Sequence, residues 1–279
     1  MSMFNTSADV DSNSDQYEAT GGTIDTERTF DVAIVGGGVA GLSAGIYTAR
    51  AGLNTLIVDD RDRGSILRRN AHLENVPGFP AGVNARLFLD MTRDQAARAG
   101  CRFLDGFVTD VRPAEEEGID GFGLALDTGE VFRAEYVIAA SWSDADYLDE
   151  LGLDIDDRGS KRFVRTAEDG PAAGRTGVAG LYAAGRLADG YHQTVVAAGN
   201  GARVALTLIH DAEVPFYHDW TAPEGYFTDR DRELPPAIEE ISDEERRRRE
   251  RESMTVMREY FADPHPDEPT PHPSLVEDN

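Results

Sequence analysis

The residues Gly36-Gly37-Gly38-Val39-Ala40-Gly41 carry the spacing G-x-G-x-x-G, and Asp59 stands 18 residues beyond the last of them. Each glycine has a physical task in such a run. Gly36 allows a tight turn, Gly38 lets the backbone approach a pyrophosphate, and Gly41 lets a helix pack closely on a strand. A carboxylate at the distance of Asp59 accepts the ribose hydroxyls of an adenosine. The pattern alone is often only a glycine-rich turn, so its surroundings decide. No nucleophile or general base declares itself elsewhere. His72, His210 and His218 have no partner visible in the sequence, and His265 and His272 lie in a Pro-rich acidic stretch. No metal-ligand spacing is present. Cys101 is the single cysteine, which excludes an intrachain disulfide and a C-x-x-C pair, and it reads as a buried structural thiol.

The elements around the glycines support the phosphate reading. Asp31–Val35 is an apolar run suited to a buried parallel strand. A helix over Leu42–Ala51 ends at Gly52, a suitable C′ glycine, and its N-terminus offers N–H groups and a positive dipole end to phosphates. Thr55–Val58 returns as a second strand, with Asp59 at its end. Further on, Leu87–Ala99 has helical spacing and stops at Gly100. Arg102–Val111, Phe122–Asp127 and Val131–Ala140 read as three strands joined by turns. This predicts an α/β, Rossmann-like fold: a parallel sheet with a β-meander.

The charge is extreme: 52 acidic residues against 27 basic ones, net −25, with Lys161 the only lysine. Such a surface repels nucleic acid and anionic lipid, so neither is an expected partner. It suits a protein adapted to a salt-rich cytoplasm, where screening removes the self-repulsion. No apolar run reaches the ~18 residues a membrane span needs, and the N-terminus lacks a basic-then-apolar leader. Residues 1–28, polar and acidic, read as a disordered tail.

With these elements in place, the chain resembles the FAD domain of the thioredoxin reductase-like flavoproteins, pyridine nucleotide-disulfide oxidoreductases. GGGVAGLSAGIYTARAG matches their phosphate loop and helix. His72–Pro80, HLENVPGFP, is similar to their Glu-Asn-x-Pro-Gly loop; Thr176–Gly185, TGVAGLYAAG, to their second FAD signature; and Asp189–Ala205 to the glutamine-bearing helix that follows. The resemblance covers roughly 30–210. It implies FAD as the cofactor, held by Gly36, Gly38, Val39, Ala40, Gly41, Asp59, Asp60, Asn75, Val108, Gly185, Arg186, Gln193 and Thr194. Gln193 is then expected at the flavin ring, with a helix N-terminus aimed at it. His192, where the family often has arginine, is a candidate proton donor, against the plainer reading of a packing or surface histidine.

Departures from the family matter as much. Only 34 residues separate Ser141 from Thr176, where the family inserts an NADPH domain; such a domain needs on the order of 100 residues. The segment has no second G-x-G-x-x-G, and the family's redox Cys-x-x-Cys is absent with it. Arg186 replaces a family aspartate and, able only to donate, is expected to reach the pyrophosphate. Ile66 replaces a glutamine near the flavin. Ser141 is read as the replacement for the glycine of the Ala-Thr-Gly strand end.

The expected organisation is therefore a single FAD domain over 29–211 without the NADPH insertion, then a C-terminal extension over 212–279. In the extension, Pro215–Phe227 is an aromatic loop expected to cover surface left by the missing domain, a flavin face included. Ser242-Asp243-Glu244-Glu245 is a capping box opening a helix over 242–261 with Met254, Met257 and Phe261 as its apolar stripe. The end from Ala262 reads as disordered. The function implied is an FAD-dependent oxidoreductase with a protein electron donor or acceptor, and a homodimer is compatible with it. The alternative is a non-catalytic FAD-binding subunit or redox sensor.

Overall fold

A computed structural model of the chain describes residues 29–272, apart from 62, 115–120, 168–171 and 217. The expected tail over 1–28, the acidic run Glu115–Glu117 and the last residues, 273–279, lie outside the described residues.

The first strand, β1 (Thr29–Val35), runs through the middle of a parallel sheet. It is buried on both faces: Phe30 and Val35 face one core cluster, Val32 and Ile34 the other. This explains its continuous apolar run. The chain then forms α1 (Val39–Arg50), returns as β2 (Thr55–Asp59), and passes through a 3-10 turn at Ile66–Arg69 into α2 (Ala85–Ala99). Next come β3 (Arg102–Asp105), β4 (Val108–Pro113), β5 (Phe122–Leu126) and β6 (Val131–Ala139). The sheet order is β3-β2-β1-β6-β5-β4. β1 pairs in parallel with β2 (Ile34 opposite Ile57) and with β6 (Ile34 opposite Ile138).

The expected strand Arg102–Val111 is two strands. It breaks at Gly106-Phe107 because β3 completes the parallel edge beside β2, whereas β4 belongs to the antiparallel meander with β5 and β6. After β6 come a 3-10 turn at Asp146–Leu151 and a hairpin of β7 (Ile155–Arg158) and β8 (Lys161–Val164). The chain re-enters the sheet as β9 (Leu181–Ala183), parallel to the end of β6, and continues into α3 (Thr194–Asp211).

α1 and α3 pack in close contact. A Cβ built on Gly201 would lie 2.0 Å from the carbonyl oxygen of Ala40, so the glycine is what permits this approach. Gly45 likewise meets Ile57 and Cys101. Cys101 is buried as expected, and burial pushes its thiol up to about 12, leaving it unreactive near neutral pH.

The extension takes a different course from the one its sequence suggests. Within it, β10 (Trp220–Pro223) pairs in parallel with β11 (Ile238–Ile241). Trp220 packs on Tyr226 and Phe227, and Asp219 bonds Arg50 at the C-terminal end of α1. Phe216 shares a pocket with Leu206 and Ile209, toward the C-terminal end of α3. The aromatic segment thus covers the ends of α1 and α3 remote from the glycine loop, not a flavin face. From there α4 (Asp243–Tyr260) leads back. Ser242 caps it, accepting from the Glu245 N–H at 3.2 Å, but the Glu245 carboxylate turns to Arg248 and Arg249, so only half of the capping box forms. Met254, Met257 and Phe261 are 54%, 41% and 48% exposed, a stripe that meets the domain only in part: Phe261 packs on Phe79, and Met257 borders a pocket with Phe88 and Met91.

Residues 262–272 are held on the domain, which overturns the expected disorder for that part. His265 Nε2 lies 2.9 Å from Asp90 Oδ2, Asp267 pairs with Arg68 at 3.6 Å, and the Thr270 N–H donates to the Arg68 carbonyl at 3.1 Å.

Candidate functional site

The C-terminal ends of β1, β2 and β6 open into a groove of ≈ 290 Å³. It lies between β1 and β6, whose onward connections run to opposite sides, β1 to β2 and β6 to β9, the switch point at which α/β sheets bind ligands. Gly36 has φ +111°, and a Cβ there would run into the Ala140 carbonyl, so only glycine fits the turn. At Gly41 a Cβ would fall 2.0 Å from the Gly36 carbonyl oxygen. Gly38 differs: the nearest atom to an added Cβ is Ser65 Oγ at 3.5 Å. Its missing side chain therefore leaves a cradle above the start of α1.

Gly38 caps α1 without a side-chain bond, and the first turn holds no acid. The N-terminus of α3, capped by Gln193, is the same in both respects, and Thr194 and Ala197 line the groove. Two helix N-termini with open N–H groups thus border one cavity, an arrangement that favours negative charge. Asp59 sits at the end of β2, accepts from the Gly37 N–H at 2.9 Å, and has Arg93 at 3.6 Å.

Of the residues expected at the cofactor, Gly36, Gly38, Val39, Ala40, Asp59, Asp60, Val108, Arg186 and Thr194 line the groove, as do His192 and Ile66. Gly41, Asn75, Gly185 and Gln193 stand outside its lining. Gly41 serves the turn, and Gly185, at φ +68°, donates its N–H to Asn200 Oδ1 at 2.6 Å. Asn75 and Gln193 meet each other: Asn75 Nδ2 donates to Gln193 Oε1 at 2.8 Å, tying the 72–80 loop to the cap of α3.

Arg186 does not take the reach expected of it. Its Nη1 donates to Asp189 and to the Gly190 carbonyl, both at 3.1 Å, and its guanidinium lies 4.6 Å from the centre of the Phe163 ring. Ser141, read as the replacement for the strand-end glycine, lines the groove, and the left-handed backbone of this turn falls on its neighbour Trp142, at φ +64°.

Several lining residues escaped the sequence reading. Phe107 lies at the break between β3 and β4, with the Arg63 guanidinium 3.7 Å from its ring centre. The signal was Gly106, a glycine inside an expected strand, which often marks a bend. Trp142 and Tyr147 line the side beyond β6. Tyr147 is buried, and desolvation holds its phenol above the usual tyrosine range, so it remains a neutral donor.

An open cradle at Gly38, two open helix ends and an acid at the end of β2 fit FAD. Fold and site define an FAD-binding α/β protein. Within that class the chain is similar, over part of its length, to thioredoxin reductases. Residues 31–68 match the family described as FAD binding domain. The thioredoxin reductase of Aquifex aeolicus is 35% identical over 115 residues, 41% of this chain and 34% of that protein. That of Rickettsia bellii is 31% identical over 120 residues, 43% of this chain and 37% of that one. The chain thus spans about a third of the length of the curated relatives it matches. In fold it is similar to a thioredoxin reductase from Gloeobacter violaceus (TM-score 0.55, 19% identity, 69% of this chain and 98% of that one). The T. acidophilum thioredoxin reductase gives TM-score 0.56 at 18% identity, covering 67% of this chain and 100% of that one.

Proposed function

We propose that the protein is an FAD-dependent oxidoreductase that takes its electrons from a separate donor and not from a nicotinamide domain of its own. One observation carries this reading. Between β6 and β9, the described residues form only a 3-10 turn and the β7–β8 hairpin, and the sequence there contains no second glycine fingerprint. The glycine loop, Asp59 and Val108 would hold the adenosine and phosphates. Thr194, on the groove wall at the positive end of α3, would face the flavin, with Gln193 tied to Asn75 beside it. Bound FAD supplies two-electron transfer; the chain's part is to bind it, orient it and favour negative charge at the start of α3. His192, on the groove wall, would hold or give a proton.

The donor is a reduced electron-transfer protein or free NAD(P)H docking at the flavin, and a homodimer is compatible with either. Nucleic acid and membrane have no part in this reading, which places the protein in a salt-rich cytoplasm. The second reading, a non-catalytic FAD-binding subunit or redox sensor, is favoured by the burial of the single cysteine far from reactivity.

The test is the visible spectrum of protein purified in high salt, repeated without oxygen after adding NADPH, NADH or a reduced ferredoxin. Bleaching by the ferredoxin alone supports the leading form. Bleaching by NAD(P)H supports direct docking of the nucleotide. A flavin spectrum that no donor changes favours the second reading, and protein that binds no flavin sinks both.

A further inference from the structure

Trp142 occupies a backbone conformation that a bulky side chain rarely adopts. Such a residue persists only where its surroundings over-determine it, and strain of this kind clusters at functional sites. The surroundings here do so. Ser141 Oγ donates to the Asp144 carbonyl at 2.7 Å and lies 2.8 Å from the buried Tyr147 hydroxyl. The Asp144 N–H returns to the Ser141 carbonyl at 3.3 Å, and the Arg162 N–H donates to the Ser143 carbonyl at 3.0 Å. These bonds hold the turn on both sides of Trp142. The indole is only half-buried and lines the groove, with the His192 ring against it at 5.8 Å and 70°.

The sheet order says which half of the cofactor this wall meets. Asp59 ends β2, the glycine loop ends β1, and Trp142 follows the end of β6, on the opposite side of β1 from β2. A ribose at Asp59 and phosphates at the glycine loop send the rest of an extended dinucleotide toward β6. His192 directly precedes Gln193 and so places the indole beside the cap of α3.

We infer that Trp142 is a positioning residue for the flavin: its indole is the aromatic wall on which the flavin end of FAD is set, and the strained turn fixes that wall before the cofactor arrives. This rests on the FAD reading above and adds a residue to it. An electron-rich indole in contact with a flavin quenches its emission, so the contact has a signature independent of turnover.

The experiment compares the full-length protein with Trp142→Gly and Trp142→Phe in molar KCl. It reads FAD affinity, emission of the bound flavin and melting of the apoprotein. Trp142→Gly is expected to raise the Kd for FAD about tenfold, the scale of one lost aromatic stack. The bound flavin should brighten several-fold, while the apoprotein melts no lower, since glycine accepts the left-handed backbone freely. Trp142→Phe should restore most of the affinity and leave the flavin brighter than in the wild type. The inference is overturned if Trp142→Gly binds FAD as tightly and as dimly as the wild type. It is overturned equally if both variants lose FAD only in step with a lowered melting temperature, since the indole then serves the fold. Failure of the wild type to bind FAD would remove the proposed function as well, which separates the two failures.

Discussion

Gly38 and Gly41 belong to one fingerprint, but the structure gives them different tasks, and two alanine substitutions should separate those tasks. At Gly38 the backbone is extended, φ −75° and ψ 178°, a conformation alanine adopts freely. An added methyl would meet only Ser65 Oγ at 3.5 Å, an ordinary contact. Gly38→Ala should therefore leave the apoprotein within about 1 kcal/mol of the wild type, on the stabilising side if the unfolded chain loses freedom. The same methyl fills the cradle proposed for the pyrophosphate. Overpacking of that kind costs about 1–3 kcal/mol, a rise in Kd of about 5- to 150-fold for FAD. At Gly41 the methyl would fall 2.0 Å from the Gly36 carbonyl oxygen, so the helix or the turn must move. Gly41→Ala should destabilise the apoprotein by about 1–3 kcal/mol or more, which lowers its melting temperature by several degrees. Both variants are to be unfolded by urea without FAD in molar KCl, then titrated with FAD by fluorescence. Equal FAD affinity in Gly38→Ala and wild type, or a loss of stability there matching that of Gly41→Ala, would refute the assignment of the cradle.

Three further outcomes are expected. Asp211 accepts from Arg175 Nε at 2.8 Å and from the Tyr182 hydroxyl at 2.7 Å, and the Arg175 bonds hold its carboxyl below the usual range. A depressed carboxylate stabilises the fold above its unfolded pKa of about 3.9 and loses that contribution as pH falls through the folded value. The stability difference between wild type and Asp211→Asn should accordingly shrink from pH 7 to pH 3 in urea titrations; a constant difference would contradict the pairing. Ending the chain after Phe261 removes the ties of Asp267 and Thr270 to Arg68, in the turn beside the groove, and that of His265 to Asp90 on α2. Stopped-flow measurement should then find FAD leaving faster by roughly fivefold, the equivalent of one hydrogen bond. Finally, with a net charge of −25, the urea midpoint should rise steadily as KCl is raised from low to molar concentration, because screening relieves self-repulsion. A flat series would count against salt adaptation.

What the sequence made legible was local. The span from Asp31 to Asp59 could be read because strand, turn, helix and strand follow one another, and Gly36 and Gly41 mark backbone needs that no other residue meets. The split at Gly106-Phe107 was hidden because both halves have strand propensity; what parts them is the choice of different sheet neighbours, a tertiary matter. Trp142 was hidden because a left-handed tryptophan has no compositional mark. The His265–Thr270 segment carries no apolar period, and it is held by single bonds to Asp90 and Arg68, far away in sequence. The direction of Arg186 depended on Asp189, whose backbone at φ 54° brings its carboxylate round to the guanidinium.

The pairing of β1 with β6 joins Val32 to Tyr136, residues roughly a hundred positions apart, and this sets the order in which the molecule can be made. On the ribosome the glycine loop emerges before the meander, with α1 and β2 as its local partners. The central strand gains its second neighbour only after the meander has been synthesised. The groove wall is complete later still, once Arg186 to Ala197 have followed. Non-local strand pairing of this kind is slow to form, and an unpaired β1 edge is open to other chains meanwhile. A nascent chain of this protein thus holds a finished phosphate loop long before it holds a finished cofactor site. Capture of FAD would then close the assembly of this domain and not seed it.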